Sequence, residues 1–93
     1  MKYSIANLPV QIFKQGKAYV AYTPVLDIST MGKDEKQAKK RFTELVDLFF
    51  EEIERKGTIH EVLSELGWTQ KAQTWKPPVV TLRSIGAKIP VAA

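Results

Sequence analysis

Between Asp34 and Lys56 the sequence carries a helical stripe, and the rest of the chain has to be arranged around it. Ala38, Phe42, Leu45, Val46, Phe49 and Ile53 recur at spacings of three, four and one. That is one face of a helix with 3.6 residues per turn. Leu48 and Phe50 widen the stripe on either side. Lys36, Lys40, Glu44, Asp47, Glu51 and Glu54 occupy the opposite face. Asp34 is a good N-cap, Gln37 follows three residues later as in a capping box, and Gly57 supplies the stop. A helix with one long apolar face needs a second layer to bury it.

The first third of the chain provides that layer as strands. Val10-Gln11-Ile12 alternates, Phe13 to Lys17 carries a turn signal, and Ala18 to Tyr22 resumes the strand. Gly16 can take a positive φ at little cost, which gives a hairpin there a mechanism. Val20 and Tyr22 share one face of the second strand, Tyr19 and Ala21 the other. Both faces are apolar enough for a central position. Pro24 should end regular pairing. A short third strand is expected over Leu26 to Thr30, before Gly32. Strand one could begin as early as Tyr3, although Pro9 argues for a break.

Beyond the long helix, Thr58 and Glu61 form a second capping box. Ile59, Val62, Leu63 and Leu66 then make the apolar side of a short helix that Gly67 stops. Thr69 to Lys76 is polar apart from Ala72 and Trp75, and Pro77-Pro78 is a stiff spacer. Val79 to Arg83 reads as a fourth strand or an arm, and Ser84 to Ala93 as a tail. The fold class is therefore α+β: a three-stranded antiparallel sheet with one long helix on a face, a short second helix and that C-terminal strand or arm. Residues 1–76 form the domain and 77–93 the strand or arm.

A length of 93 residues allows one domain and a modest core. There is no cysteine, which removes disulfides, thiolate metal sites and a cysteine nucleophile together. That composition fits a reducing compartment, and the cytoplasm is the expected location. Ser4, Asn7 and Gln11 interrupt the apolar residues of Met1 to Lys14, so a signal peptide is not expected. No stretch approaches the ~18 apolar residues of a membrane span. The net charge of +4 is mild, and aromatic and basic residues do not interleave as in RNA-binding modules.

Charge along the long helix runs against its dipole. Lys36, Lys39, Lys40 and Arg41 fall in the first half; Glu44 lies between; Asp47, Glu51, Glu52 and Glu54 fall in the second. The macrodipole favours the reverse by ~0.3–1 kcal/mol per terminal charge. A solvated face accounts for this order. So does self-association, because two such helices packed antiparallel about a two-fold axis would set basic halves against acidic ones.

Little in the sequence points to chemistry. His60 is alone, beside Glu61, with no partner at metal-ligand spacing. There is no Gly-rich phosphate loop and no Gly-x-Ser-x-Gly. Glu51, Glu52 and Glu54 point apart around the helix. Asp27 reads as a turn or strand-end residue that bonds nearby backbone amides, the alternative being an unusual buried carboxylate. Trp68 and Trp75 are expected to cover the core, with Trp75 the better candidate for anchoring a partner, because tryptophan is a frequent hot-spot residue.

One ordered set of motifs resembles a known family. Gln15-Gly16-Lys17-Ala18-Tyr19-Val20-Ala21-Tyr22, then Pro24-Val25-Leu26-Asp27-Ile28, then Gly32 and a capped helix with an early Ala38, are similar to the HicB antitoxins. The resemblance covers about residues 8 to 68. It implies a partial ribonuclease-H-like fold without the catalytic acids: three antiparallel strands and a helix across one face. It implies a protein that neutralises a HicA toxin, a small RNA-cleaving protein, by covering its surface. Many family members add a C-terminal DNA-binding module. Only 15 residues follow Pro78 here, too few for a ribbon-helix-helix, which argues against the DNA-binding half of the family's role. The helix start departs too, with Lys33, Lys36 and Lys39 making it basic.

The expectation is thus a protein-binding domain and not an enzyme, without cofactor or metal, forming a homodimer or higher oligomer and meeting a HicA-like toxin. Its expected surface comprises Lys36, Lys39, Lys40, Arg41, Glu44, Asp47, Glu51, Glu54 and Trp75. The alternatives are a stand-alone homo-oligomeric domain, or a nucleic-acid binder using the basic start of the long helix.

Overall fold

The computed structural model describes residues 3–92. Met1, Lys2 and Ala93, counted in the expected domain and arm, lie outside the described residues. The elements run β1 (Gln11–Gln15), β2 (Ala18–Thr23), β3 (Ile28–Gly32), α1 (Glu35–Arg55), α2 (Ile59–Glu65), β4 (Thr69–Lys71) and β5 (Thr74–Lys76). The α+β class is as the sequence implies. Strands β1, β2 and β3 form one antiparallel sheet with β2 central, and β4 and β5 form a separate hairpin.

The β1–β2 turn is short because Gly16 can take φ +63° at the first of two loop positions. That torsion suits a type II′ turn, whose twist matches the flanking strands. Register then alternates cleanly. Ile12, Ala21 and Thr30 are aligned on the face toward α1, and Phe13, Val20 and Met31 on the other.

The third strand starts later than the sequence suggests. Leu26 belongs to the connection between β2 and β3, where Val25 and Leu26 are buried and Asp27 turns the chain at φ +54°. The apolar pair goes inward instead of extending the strand. Thr23, also buried, locks this corner: its hydroxyl donates to the Pro9 carbonyl at 2.8 Å and accepts from the Val25 amide at 3.4 Å. Residues 3–10 form no strand.

Helix α1 begins as its caps require. The Asp34 carboxylate accepts from the Gln37 amide, and the Gln37 side chain in turn accepts from the Lys33 amide, both at 2.7 Å. The helix end is a Schellman motif around Gly57 at φ +68°: the Thr58 amide donates to the Ile53 carbonyl and Gly57 to Glu54. Helix α2 ends in the same way around Gly67, with Trp68 donating to Leu63 and Gly67 to Ser64. The start of α2 differs from expectation. Thr58 makes no side-chain cap; its hydroxyl donates back to the Ile53 carbonyl at 3.3 Å, drawn there by the Schellman turn.

Two apolar clusters result. Ala21, Ala38 and Phe42 join the sheet to the first half of α1. Val25, Leu26, Ile53, Leu63 and Trp68 join the β2–β3 connection to the second half of α1 and to α2. Ile28 and Val46 pack against both clusters and make the core continuous. Burying each Val, Leu, Ile or Phe among them contributes roughly 1.5–3 kcal/mol. Leu48, expected at the edge of the stripe, is instead 60% exposed, because no element covers that side of α1.

Two further differences concern the C-terminal part. The polar stretch Thr69 to Lys76 pairs as the β4–β5 hairpin, turning at Ala72 with φ +57°. Val79 to Arg83 forms no strand; residues 77–92 have no regular structure.

Helix α1 packs tightly on β3 at Gly32. A Cβ built on Gly32 would come within 2.5 Å of the Ala38 amide nitrogen and 2.9 Å of the Gln37 carbonyl carbon. Both neighbours are helix backbone and cannot swing aside. Gly32→Ala should therefore cost about 1–3 kcal/mol as overpacking. Urea unfolding would show a lower midpoint at an unchanged slope.

Candidate partner-binding surface

Apart from Leu48 on α1, the apolar side chains that a partner could touch lie in three places. The first is the uncovered face of the sheet. Phe13, Val20 and Met31 stand in register across β1, β2 and β3, and Phe13 and Met31, 45% and 54% exposed, flank the buried Val20. Tyr22 lies on the same face, and its hydroxyl donates to the Asp27 carboxylate at 3.1 Å. Asp27 stands at the turn as expected and is exposed, but its carboxylate accepts from this side-chain hydroxyl instead of from backbone amides.

The second place is a groove of about 380 Å³ between α1, α2, the N-terminal segment and the β4–β5 hairpin. Val46 and Phe50 of α1, Leu63 of α2 and Trp68 contribute apolar walls, and Tyr3 to Ala6 close one side. Aromatic packing holds the walls in position. Phe50 meets Trp68 edge-on at 6.1 Å, and Phe49 meets Phe50 at 5.5 Å. The Trp68 indole nitrogen donates to the Val25 carbonyl at 2.8 Å, so its ring orientation is fixed from across the core. Asp47 and Glu54 stand on the groove's α1 side, and Glu51 joins them around an adjoining hollow.

The third place is the C-terminal arm. Val79, Leu82, Ile85, Ile89 and Val91 are between 75% and 94% exposed. None belongs to either apolar cluster.

The expected surface is split by this arrangement. Asp47, Glu54 and Trp75 come together as lining of the groove, with Glu51 beside them. Lys36, Lys39, Lys40 and Arg41 are exposed in the first half of α1. Those positions lie roughly 10–25 Å further along the helix at 1.5 Å per residue. Arg41 is also engaged, donating to the Met31 carbonyl at 3.0 Å beside the sheet. Glu44 is exposed between the two groups. Trp75 is half-buried and meets the His60 ring at 5.6 Å, so His60 serves as a packing neighbour.

Sequence reasoning missed the groove's N-terminal wall and the open face of the sheet. The alternation Phe13, Gln15 and Val20, Tyr22 was the available signal for the second. Glu52 is paired within α1, at 2.7 Å from Arg55 and 3.2 Å from Lys56. Hydrogen bonds from these two cations hold its carboxyl below the usual value. Among the described residues no group of three or more acids and histidines is placed to hold a metal ion. Among the described residues no helix is long and apolar enough to cross a membrane.

Comparison with protein-family models, with curated proteins and with solved structures gives no match.

The Tyr22–Asp27 pair gives this surface a pH signature. The hydrogen bond to Asp27, with burial and the carboxylate's charge adding to it, raises the Tyr22 pKa above its ordinary value of 10.0. A folded pKa above the unfolded one means that the pair's contribution to stability is complete below pH 10 and is lost as pH rises through the folded value. Asp27→Asn keeps a residue that tolerates the positive φ and removes the charge. An ultraviolet tyrosinate titration should show one phenol of the native protein moving to lower pH in that variant.

Proposed function

We propose that this chain is a non-catalytic protein-binding domain of the HicB antitoxin kind, acting in the cytoplasm as a homo-oligomer and neutralising a small RNA-cleaving partner of HicA type by covering its surface. The observation that carries this reading is the work done by the motif residues that resemble the family. Gly16 makes the hairpin turn, and Tyr19-Val20-Ala21 lies in the central strand. The Pro24-Val25-Leu26-Asp27 segment forms the corner that buries Val25 and Leu26. Gly32 and Ala38 meet where helix touches sheet. The order of three antiparallel strands and then a helix across one face agrees with the fold that the resemblance implies.

The surface supports binding by a partner protein. Exposed apolar side chains are spread over the sheet face, the groove and the arm. A macromolecule would meet this as an extended contact, and clustered exposed apolar residues are characteristic of interaction surfaces.

The nucleic-acid reading has one observation in its favour, the exposure of Lys36, Lys39, Lys40 and Arg41 on α1. It requires affinity that falls steeply with salt, because phosphate contacts release counterions. The antitoxin reading requires co-purification with a HicA-type toxin and rescue of growth when both are expressed. Phe13→Asp with Met31→Asp, and separately Phe50→Asp, should each be compared with the native chain in that rescue. Loss of rescue in a variant that still folds would place the toxin contact. Failure of the native chain to bind or rescue any HicA-type toxin, together with salt-dependent RNA binding, would replace this reading with the nucleic-acid one.

A further inference from the structure

The C-terminal arm is the feature that a single copy leaves unexplained. A 93-residue chain folded into one body has a radius of gyration of about 12 Å. This one has 16.1 Å, with extents of 56 × 30 × 21 Å. Residues 79–92, if extended, reach roughly 45 Å. They carry Val79, Leu82, Ile85, Ile89 and Val91 into solvent, and the arm contributes nothing to the lining of the groove on its own body. Five large aliphatic side chains held away from the core forfeit the burial that would stabilise them.

The groove has the complementary features. Its walls are apolar, through Val46, Phe50, Leu63 and Trp68. Its rim is acidic, through Asp47, Glu51 and Glu54. The arm has the opposite charge: Arg83 and Lys88 are its only ionisable side chains, and it contains no acid. The arm thus offers aliphatic residues separated by two cations, and the groove offers an apolar trough edged by carboxylates. Such charge complementarity fixes register and suppresses wrong partners.

We infer that the arm of one copy lies in the groove of a second copy, reciprocally, so that two chains exchange arms about a two-fold axis. Pro77-Pro78 favours this over folding back. The pair stiffens the start of the arm, and Pro78 packs beside Gly67, with its ring 3.8 Å from where a Gly67 Cβ would stand, so the arm departs from a fixed point at the end of α2. Reciprocal exchange closes after two copies and leaves no free arm to propagate a chain. The inference rests on the homo-oligomeric part of the reading above, and it names the segment and the site that assemble the copies.

The test uses the full chain and five variants. Light scattering on the native protein should give twice the 10.5 kDa chain mass. Leu82→Asp with Ile85→Asp should raise the dimer dissociation constant by at least about a hundredfold, and a chain ending at Pro78 should be monomeric with an unchanged circular-dichroism spectrum. Because the native sequence has no cysteine, Ile85→Cys and Asp47→Cys each introduce the only thiol. Mixed together and treated with a short bis-maleimide, these two should form a cross-linked pair of different chains. A native monomer at every concentration would overturn both the arm exchange and the homo-oligomer. A dimer that survives removal of the arm would overturn the exchange alone. Cross-linking confined to single chains of a doubly substituted Asp47→Cys, Ile85→Cys protein would overturn it by showing that the arm folds back on its own groove.

Discussion

The Trp68 indole, donating to the Val25 carbonyl across 43 residues of sequence, is the bond on which the lower half of this protein depends. It ties the end of α2 to the corner between β2 and β3. Each partner is placed by a separate local device. Trp68 sits one residue past Gly67 in a Schellman motif, and Val25 is turned inward by Thr23 and Asp27. A buried indole needs an acceptor, and a buried corner carbonyl needs a donor; removing either partner leaves the other unpaired at a cost of about 1–3 kcal/mol. With both placed, Ile53 and Leu63 close over them and the second apolar cluster forms.

The upper half is held differently, by close approach instead of a long-range bond. Gly32 and Ala38 let α1 lie against β3 with no side chain between them. That contact sets the height of the helix above the sheet, and Phe42 then reaches the same cluster as Ala21. Because Ile28 and Val46 belong to both clusters, the two halves act as one core. The helix is used up along one face. Its other face, the outer sheet surface and the C-terminal arm are left to solvent or to a partner.

Much of this was legible in the sequence, and the reasons are specific. Helix α1 could be read because six apolar positions fit one period and both ends carry caps. The β1–β2 hairpin could be read because Gly16 marks a turn that few residues make cheaply. The β4–β5 hairpin could not be read. Its strands are three residues each, its faces are polar, and its turn uses Ala72 at a positive φ in place of glycine. Leu26 was misplaced into a strand because an apolar residue before an alternating run reads equally well as its first position. The groove was beyond sequence reading, since its walls come from the N-terminal segment, α1, α2 and the Trp75 hairpin, which meet only after folding. Of the expected surface, Asp47, Glu54 and Trp75 converge there, while the four basic residues of α1 stand apart.

The central claim is that the body is complete in one copy while the arm is completed by another. Amide hydrogen exchange, followed residue by residue at low and high protein concentration, tests this most directly. The Trp68 indole proton and the amides of β2 and α1 should exchange slowly at both concentrations. Protection of residues 79–92 should rise as concentration increases. An arm that exchanges at the rate of an unstructured peptide at every concentration would contradict the account.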